Sequence, residues 1–249
     1  MTEMHTSETE TATLPAGVFL MSGSSSAVVH TSGRKVSTVR GPQHCFNYRI
    51  LKRSIDILCI VAASPFLILM LAVIALAIRI GSQGPIFFSH RRIRGQGAFF
   101  TMWKFRTMCV NSSEVLDEYL ARNPSARAEW RKTHKLKCDP RVTRVGEFLR
   151  RTSLDELPQL WNVFTGSMSL VGPRPIVAAE VEKYGAYFAD YCLVKPGITG
   201  LWQVSGRSAC TYAQRVQLDR QYAQTWSLMG DVRILVKTLP SVINQDGAY

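Results

Sequence analysis

The sequence predicts a mostly helical α+β chain in which an apolar membrane helix precedes a small domain of short strands and helices. Three observations lead there. Ile55 to Ile80 is almost wholly apolar, interrupted by Asp56, Ser64-Pro65 and Arg79. Ile86-Phe87-Phe88 and Ala98 to Trp103 are rich in aromatic residues and flanked by glycine-containing turns, which suits short strands. Asn111 to Lys137 is polar with a helical pattern, and Val232, Leu235, Val236 and Leu239 recur at helical spacing.

Taken in order, Met1 to Arg40 is rich in Ser and Thr and poor in large apolar groups, so residues 1–45 are expected to form a disordered tail. The apolar stretch Val18 to Met21 is too brief for a secretory signal. The formal net charge of +12 therefore belongs to the rest of the chain. It predicts an anionic partner: nucleic acid, a phospholipid surface or a phosphorylated substrate. The six cysteines are scattered without C-x-x-C spacing and the five histidines are equally dispersed. That pattern supports neither a disulfide framework nor a zinc or His-ligated metal site, and it suits a reducing compartment.

Residues 46–81 hold the apolar run. A straight helix from Ile55 to Ile80 would reach about 39 Å against about 30 Å of hydrocarbon, so a crossing helix fits by length. Pro65 removes a backbone donor, and Ser64 can offer its hydroxyl to the carbonyl so freed, which predicts a bend with limbs too short to cross. Basic residues stand on both sides, Arg49, Lys52 and Arg53 before the run and Arg79, Arg91, Arg92 and Arg94 at its end and beyond. A re-entrant hairpin with both ends in the cytoplasm satisfies that charge pattern. Thickness and charge alone leave both topologies open.

The third region, residues 82–249, opens with the turn Ser82-Gln-Gly-Pro85, followed by the two short strands. Arg91, Arg92 and Arg94 are placed in the connecting loop, solvated or facing lipid. Lys104 and Arg106 alternate with Trp103 and Phe105 and are expected on one strand face, two cations suited to phosphate. Asn111 to Lys137 reads as a surface excursion. Lys195 to Arg207 is a glycine-punctuated loop whose amides could cradle an anion. The stripe from Val232 to Leu239, beside Arg233 and Lys237, suits a membrane-surface helix or a core-facing one.

The richest stretch is Thr152-Ser-Leu-Asp155-Glu156-Leu-Pro-Gln-Leu-Trp-Asn162, followed by Gly172-Pro173-Arg174-Pro175. Two readings compete for it. Ser153 and Glu156 stand at capping-box spacing, with Leu157, Leu160, Trp161 and Phe164 on one apolar helix face. Against this, a capping box uses one acidic side chain and leaves Asp155 without a structural task. Arg150, Arg151 and Arg174 surround the pair, and two prolines restrict the backbone that presents Arg174. Adjacent carboxylates near a fixed guanidinium suit phosphoryl transfer.

Together these residues resemble the bacterial sugar transferase family, the monotopic phosphoglycosyl transferases. The similarity runs from about Tyr48 to Val242. It is carried by Lys52-Arg-Ser-Ile-Asp56, Ser64-Pro65, Trp103-Lys-Phe-Arg-Thr-Met108, Arg150 to Trp161, Ser169-Leu-Val-Gly-Pro-Arg-Pro175 and Lys195-Pro-Gly-Ile-Thr-Gly200. The resemblance implies transfer of a hexose-1-phosphate, galactose or glucose foremost, from a UDP-sugar to undecaprenyl phosphate at the start of exopolysaccharide synthesis. UMP would be released through a phosphosugar intermediate on Asp155, and Glu156 would activate the lipid phosphate. It further implies Mg²⁺ with Asp155 as a ligand, phosphate contacts from Lys104, Arg150 and Arg174, and a site position at Asp231. Arg106 joins the phosphate contacts by proximity. Ser64-Pro65 matches the family's helix break, which implies a re-entrant helix-break-helix and a cytoplasmic catalytic domain with interfacial helices on the bacterial inner membrane. The absence of a multi-span N-terminal region resembles the smaller, exopolysaccharide-initiating members, and the Ser/Thr-rich tail departs from their minimal form.

Two rivals come from other classes. A membrane-anchored nucleic-acid-binding protein would use the positive charge but leaves Asp155 and Glu156 idle, since carboxylates repel phosphate without a metal. A non-catalytic scaffold for polysaccharide assembly would tolerate Asp155→Asn. The expected partners are therefore UDP-sugar, undecaprenyl phosphate and membrane lipid, with no nucleic acid.

Overall fold

The computed structural model describes residues 46–206 and 210–243. The expected tail, Arg207 and the last residues of the chain lie outside them. The apolar run forms one helix, α1 (Phe46–Gly81), of 36 residues, with Pro65 inside it. The run is thus not divided into two separate helices at Ser64-Pro65, and a re-entrant path requires a bend within this one helix. Pro65 frees the carbonyl four residues earlier, and Ser64 Oγ donates to that carbonyl, Val61 O, at 2.8 Å. The hydroxyl thus replaces the lost amide and the helical path continues.

Most of the middle of α1 is bare: Leu58, Val61, Phe66, Ile68, Leu69, Val73 and Leu76 are exposed. By length and composition Arg49–Gly81 could cross a membrane. Yet both ends of α1 dock on the domain that follows. Near the start, Lys52 pairs with Asp231, and Arg53 donates to the carbonyls of Val163 and Phe164. Asp56 accepts from Ser169 Oγ at 2.9 Å and from the Leu170 amide at 3.2 Å. Further on, Ile74 and Ile78 are buried against Phe105 and Leu149, with Leu154 and Leu157 packed on the same cluster.

Strands β1 (Phe87–Ile93) and β2 (Phe99–Phe105) form an antiparallel hairpin in which Phe88 faces Lys104 and Arg92 faces Phe100. The connecting turn spans only Arg94 to Ala98, so Arg91 and Arg92 belong to the strand, contrary to the loop expected for them. Helices α2 (Ser112–Arg122) and α3 (Pro124–Thr133) bury only Ala126 between them and form the expected surface excursion. Helix α4 (Arg144–Arg151) starts at Thr143, whose hydroxyl accepts from the Gly146 amide at 2.9 Å. Gly146 is required there, because a Cβ would lie 2.0 Å from Thr107 O.

A short 3₁₀ turn, Leu154–Glu156, leads through Pro158 into α5 (Gln159–Thr165). Strands β3 (Ser169–Val171) and β4 (Gly197–Thr199) pair in parallel. Between them lie α6 (Val181–Tyr184) and α7 (Phe188–Cys192); beyond them come α8 (Leu201–Val204), α9 (Tyr212–Thr225) and α10 (Leu228–Ile243). The loop expected to cradle an anion is thus partly strand. The Gly197 amide donates to Pro173 O at 2.8 Å, and the Gly172 amide to Thr199 O at 2.8 Å. The Gly197 amide of the loop is therefore engaged by the fold and is not available to an anion. On α10, Met229, Val232, Val236 and Leu239 are exposed while Ile234 is buried, so most of the predicted stripe faces outward.

Candidate active site

Strand β2 delivers Lys104, and the turn after α4 delivers Asp155 and Glu156. Ser153 makes that turn by adopting a left-handed backbone, φ 57°, uncommon outside glycine and asparagine and costing about 1 kcal/mol. It has no capping hydrogen bond from its side chain, so the capping-box reading is wrong. Trp161 and Phe164 are exposed and stacked on each other, and Val163 is the residue of α5 that enters the core.

Asn162 fixes α5 against the hairpin. Its Nδ2 donates to Thr101 O at 2.7 Å and its Oδ1 accepts from the Trp103 amide at 3.1 Å, a pairing like that of a neighbouring strand. These bonds lie next to Lys104 in sequence, so the helix and the strand bearing the charged groups are held in register.

Lys104 Nζ lies 2.6 Å from Glu156 Oε1 and 3.5 Å from Asp155 Oδ2. Arg174 approaches Glu156 at 3.7 Å. Asp155 is buried. Burial raises its pKa above the usual carboxylate range; Lys104 pulls it down, while Glu156 pushes it up. The neighbouring cavity, about 10 Å³, is lined by Arg92, Met102, Glu156, Gln159, Arg174 and Pro175, with Gly197 and Ile198.

Of the residues expected from sequence, Lys104, Asp155, Glu156 and Arg174 meet. Arg150 stands beside them, its Nε donating to Thr107 Oγ1 at 2.9 Å and its charge attracting Asp155. Arg106 does not join. Its guanidinium turns toward the turn after α1, donating to Gln83 O at 2.6 Å, Ser82 O at 2.9 Å and Ser82 Oγ at 2.8 Å. It lies just beyond the end of β2 and is buried, so the strand alternation invoked for it does not apply. Asp231 is also elsewhere: it pairs with Lys52 and accepts from Tyr222 Oη at 2.8 Å, anchoring α1. Ser64 and Pro65 lie on the bare part of α1.

Arg92 was missed as a site residue. It lines the small cavity, donates to Pro175 O at 3.4 Å and lies 3.8 Å from Glu180. The strand signal was read as ending at Phe88, and no apolar alternation carries it on through His90-Arg91-Arg92. Among the described residues no group of three or more His, Cys, Asp or Glu side chains could hold a metal ion. Magnesium typically binds through one or two carboxylates plus substrate phosphates, so the Asp155–Glu156 pair fits an ion arriving with a diphosphate.

Residues 47–245 match the family model described as Bacterial sugar transferase. The undecaprenyl-phosphate galactose phosphotransferase of Salmonella typhimurium is 51% identical over 205 residues, which cover 81% of this chain and 42% of that protein. The exopolysaccharide production protein ExoY of Sinorhizobium fredii is 48% identical, with 80% of this chain and 88% of the relative covered. The Escherichia coli UDP-glucose:undecaprenyl-phosphate glucose-1-phosphate transferase is 40% identical, over 81% of this chain and 42% of its own. The chain thus spans under half the length of several of these relatives.

Proposed function

Because the chain belongs to the bacterial sugar transferase family, we propose that it transfers a hexose-1-phosphate from a UDP-sugar to undecaprenyl phosphate, the first membrane step of exopolysaccharide synthesis. The observation that carries this reading is a buried aspartate beside a glutamate, both bound to Lys104, at the edge of a cavity with Arg92 and Arg174. Galactose and glucose are the favoured sugars, as the names of the relatives suggest for those proteins.

An Asp155 carboxylate oxygen attacks the sugar-bearing phosphorus. The bond to the bridging oxygen breaks and its electron pair leaves with UMP. Lys104 keeps Asp155 ionised despite burial, and Arg174, Arg92 and Arg150 offset charge on the phosphates. Glu156 then takes the proton of the lipid phosphate, whose oxygen attacks the same phosphorus and frees Asp155. Mg²⁺, with Asp155 as ligand, would supply further charge compensation on the diphosphate.

The same reading places residues 82–249 as a cytoplasmic catalytic domain on the inner membrane, with 46–81 re-entrant. Docking of both ends of α1 on one domain supports this. A helix that crossed would put about 30 Å of hydrocarbon between Asp56 and Ile78, and the two could not touch one domain. Cysteine labelling near residue 30, in a background without native cysteines, should occur from the cytoplasmic side; periplasmic labelling would refute re-entry.

To test the chemistry, the full chain is incubated with a panel of UDP-sugars without acceptor. UMP release and a phosphosugar adduct on Asp155, seen by mass spectrometry, are expected. An adduct elsewhere, or full activity in Asp155→Asn, would overturn the assignment.

A further inference from the structure

A second, larger cavity of about 200 Å³ lies at the root of α1. It shares no lining residue with the cavity beside Glu156. Five cationic side chains line it, Arg49, Lys52, Arg53, Arg94 and Lys195, against one carboxylate, Asp56. The positive charge is only partly answered within the fold. Lys52 is neutralised by Asp231, and Asp56 is occupied by Ser169 and Leu170. Arg53 gives two of its five N–H donors to carbonyls at the end of α5, which carry no net charge and leave the remaining donors for another acceptor. Among the described residues neither Arg94 nor Lys195 forms an ion pair.

The cations also converge. The Arg53 guanidinium and Lys195 Nζ each lie 3.6 Å from the point a Cβ would occupy on Gly166. The two cations therefore lie within about 7 Å of each other beside the cavity. Burial lowers the pKa of Lys195, repulsion from Arg53 lowers it further, and an anion bound between them would relieve that repulsion. The location narrows the anion's source. Arg49, Lys52 and Arg53 occupy the first turns of α1, interleaved with exposed Ile50 and Leu51, and from Leu58 onward the exposed residues of the helix's middle are apolar without a further charge before Arg79. A cavity at that boundary lies at the depth of lipid phosphates when the apolar stretch is in hydrocarbon.

We propose that this cavity is a phosphate-binding site, separate from the cavity beside Glu156, that takes the headgroup phosphate of an anionic lipid. Arg53, Arg94 and Lys195 hold the phosphate oxygens by charge-assisted hydrogen bonds. The bound lipid supplies the counter-charge that the fold lacks and fixes the root of α1 at the membrane surface.

The test uses the full chain in a non-ionic detergent, titrated with short-chain phosphatidylglycerol, inorganic phosphate and short-chain phosphatidylcholine. Phosphatidylglycerol should bind and weaken with added salt. The double substitution Arg94→Gln, Lys195→Gln should raise its apparent Kd by at least about tenfold, with UMP release and cooperative unfolding retained. Arg94 is exposed, so Arg94→Gln alone serves if the double variant does not fold. Phosphatidylglycerol binding far tighter than inorganic phosphate identifies the lipid as the source; equal binding of the two supports the phosphate site but assigns it to free phosphate. No binding of either, binding indifferent to the substitutions, or phosphatidylcholine binding as tightly as phosphatidylglycerol would overturn the proposal.

Discussion

Replacing Lys104 with methionine keeps most of the side-chain volume and removes the one cation within ion-pair distance of both Asp155 and Glu156 among the described residues. At 3.5 Å and an effective dielectric constant of about 20, the Lys104–Asp155 attraction is about 5 kcal/mol before solvent adjusts. Water entering the space left by the ammonium would recover roughly half of this. The remainder disfavours the ionised form, so the pKa of Asp155, which burial has already raised, rises further. Only the ionised carboxylate can attack phosphorus, so the acid limb of the pH–rate profile should move to higher pH. Initial rates of UMP release, measured from pH 5 to 9 with purified protein, would show it. A loss of rate equal at every pH would mean that Lys104 only binds substrate phosphate, and the argument that it keeps Asp155 ionised would be refuted.

Arg106→Met should lower stability by about 2–4 kcal/mol, because three hydrogen bonds to Ser82 and Gln83 are lost, while UMP release per folded molecule stays unchanged. A large fall in that specific activity would restore Arg106 to the site. Asp219 is fully buried; burial raises its pKa to about 6, although hydrogen bonding from Tyr184 at 2.6 Å and the charge of Arg215 oppose the rise. The folded state therefore holds a proton that the unfolded chain has lost above about pH 4. Its contribution is complete below that pH and declines as pH rises to about 6, by about 3 kcal/mol. Unfolding of Asp219→Asn against the native chain across pH 4 to 7 should show this difference in slope; parallel curves would contradict it. Asp155→Asn should abolish transfer without loss of stability at neutral pH, since the substitution removes a carboxylate whose ionisation burial opposes. An unfolded variant would instead make Asp155 a structural residue.

The sequence displayed the apolar helix, the two-strand region, the helical excursion and four of the charged groups that meet at the site, because each rests on composition or local spacing. It misled where a long-range partner decides the outcome. Ser153 and Glu156 have capping-box spacing, yet Ser153 adopts a left-handed turn, between a helix packed closely on Thr107 and Leu154 packed on α1, and its side chain makes no cap. Arg106 and Lys104 look equivalent along the chain. The strand ends between them, and the carbonyls that claim Arg106 lie more than twenty residues earlier. The glycines of Lys195 to Gly200 suggested an anion cradle, but a Cβ on Gly197 would lie 2.1 Å from Gly172 N, so that glycine permits close backbone approach instead. Lys52, Arg53 and Asp56 were visible as a motif without a role, since their partners are 110 to 179 residues away.

The site itself is also tied to the long apolar helix α1. The cluster that buries Ile74 and Ile78 also contains Phe105, Leu149, Leu154 and Leu157. Each is the neighbour in sequence of a charged group at the site: Phe105 follows Lys104, Leu149 precedes Arg150, and Leu154 and Leu157 bracket Asp155 and Glu156. The apolar side chains grip α1 and their neighbours are presented to the cavity, so the spacing of the charges depends on where α1 lies. Like-charge and buried-charge costs at Asp155 and Glu156 oppose this arrangement, and burial of apolar side chains at about 25 cal/mol per Å² offsets them. A shift of α1 by one turn would replace Ile74 and Ile78 with other residues against Phe105 and Leu149, and would move Lys104 relative to both carboxylates. The long apolar helix therefore acts as part of the framework that sets the 2.6 Å and 3.5 Å contacts of Lys104, and the position of α1 and the geometry of the site are one mechanical problem.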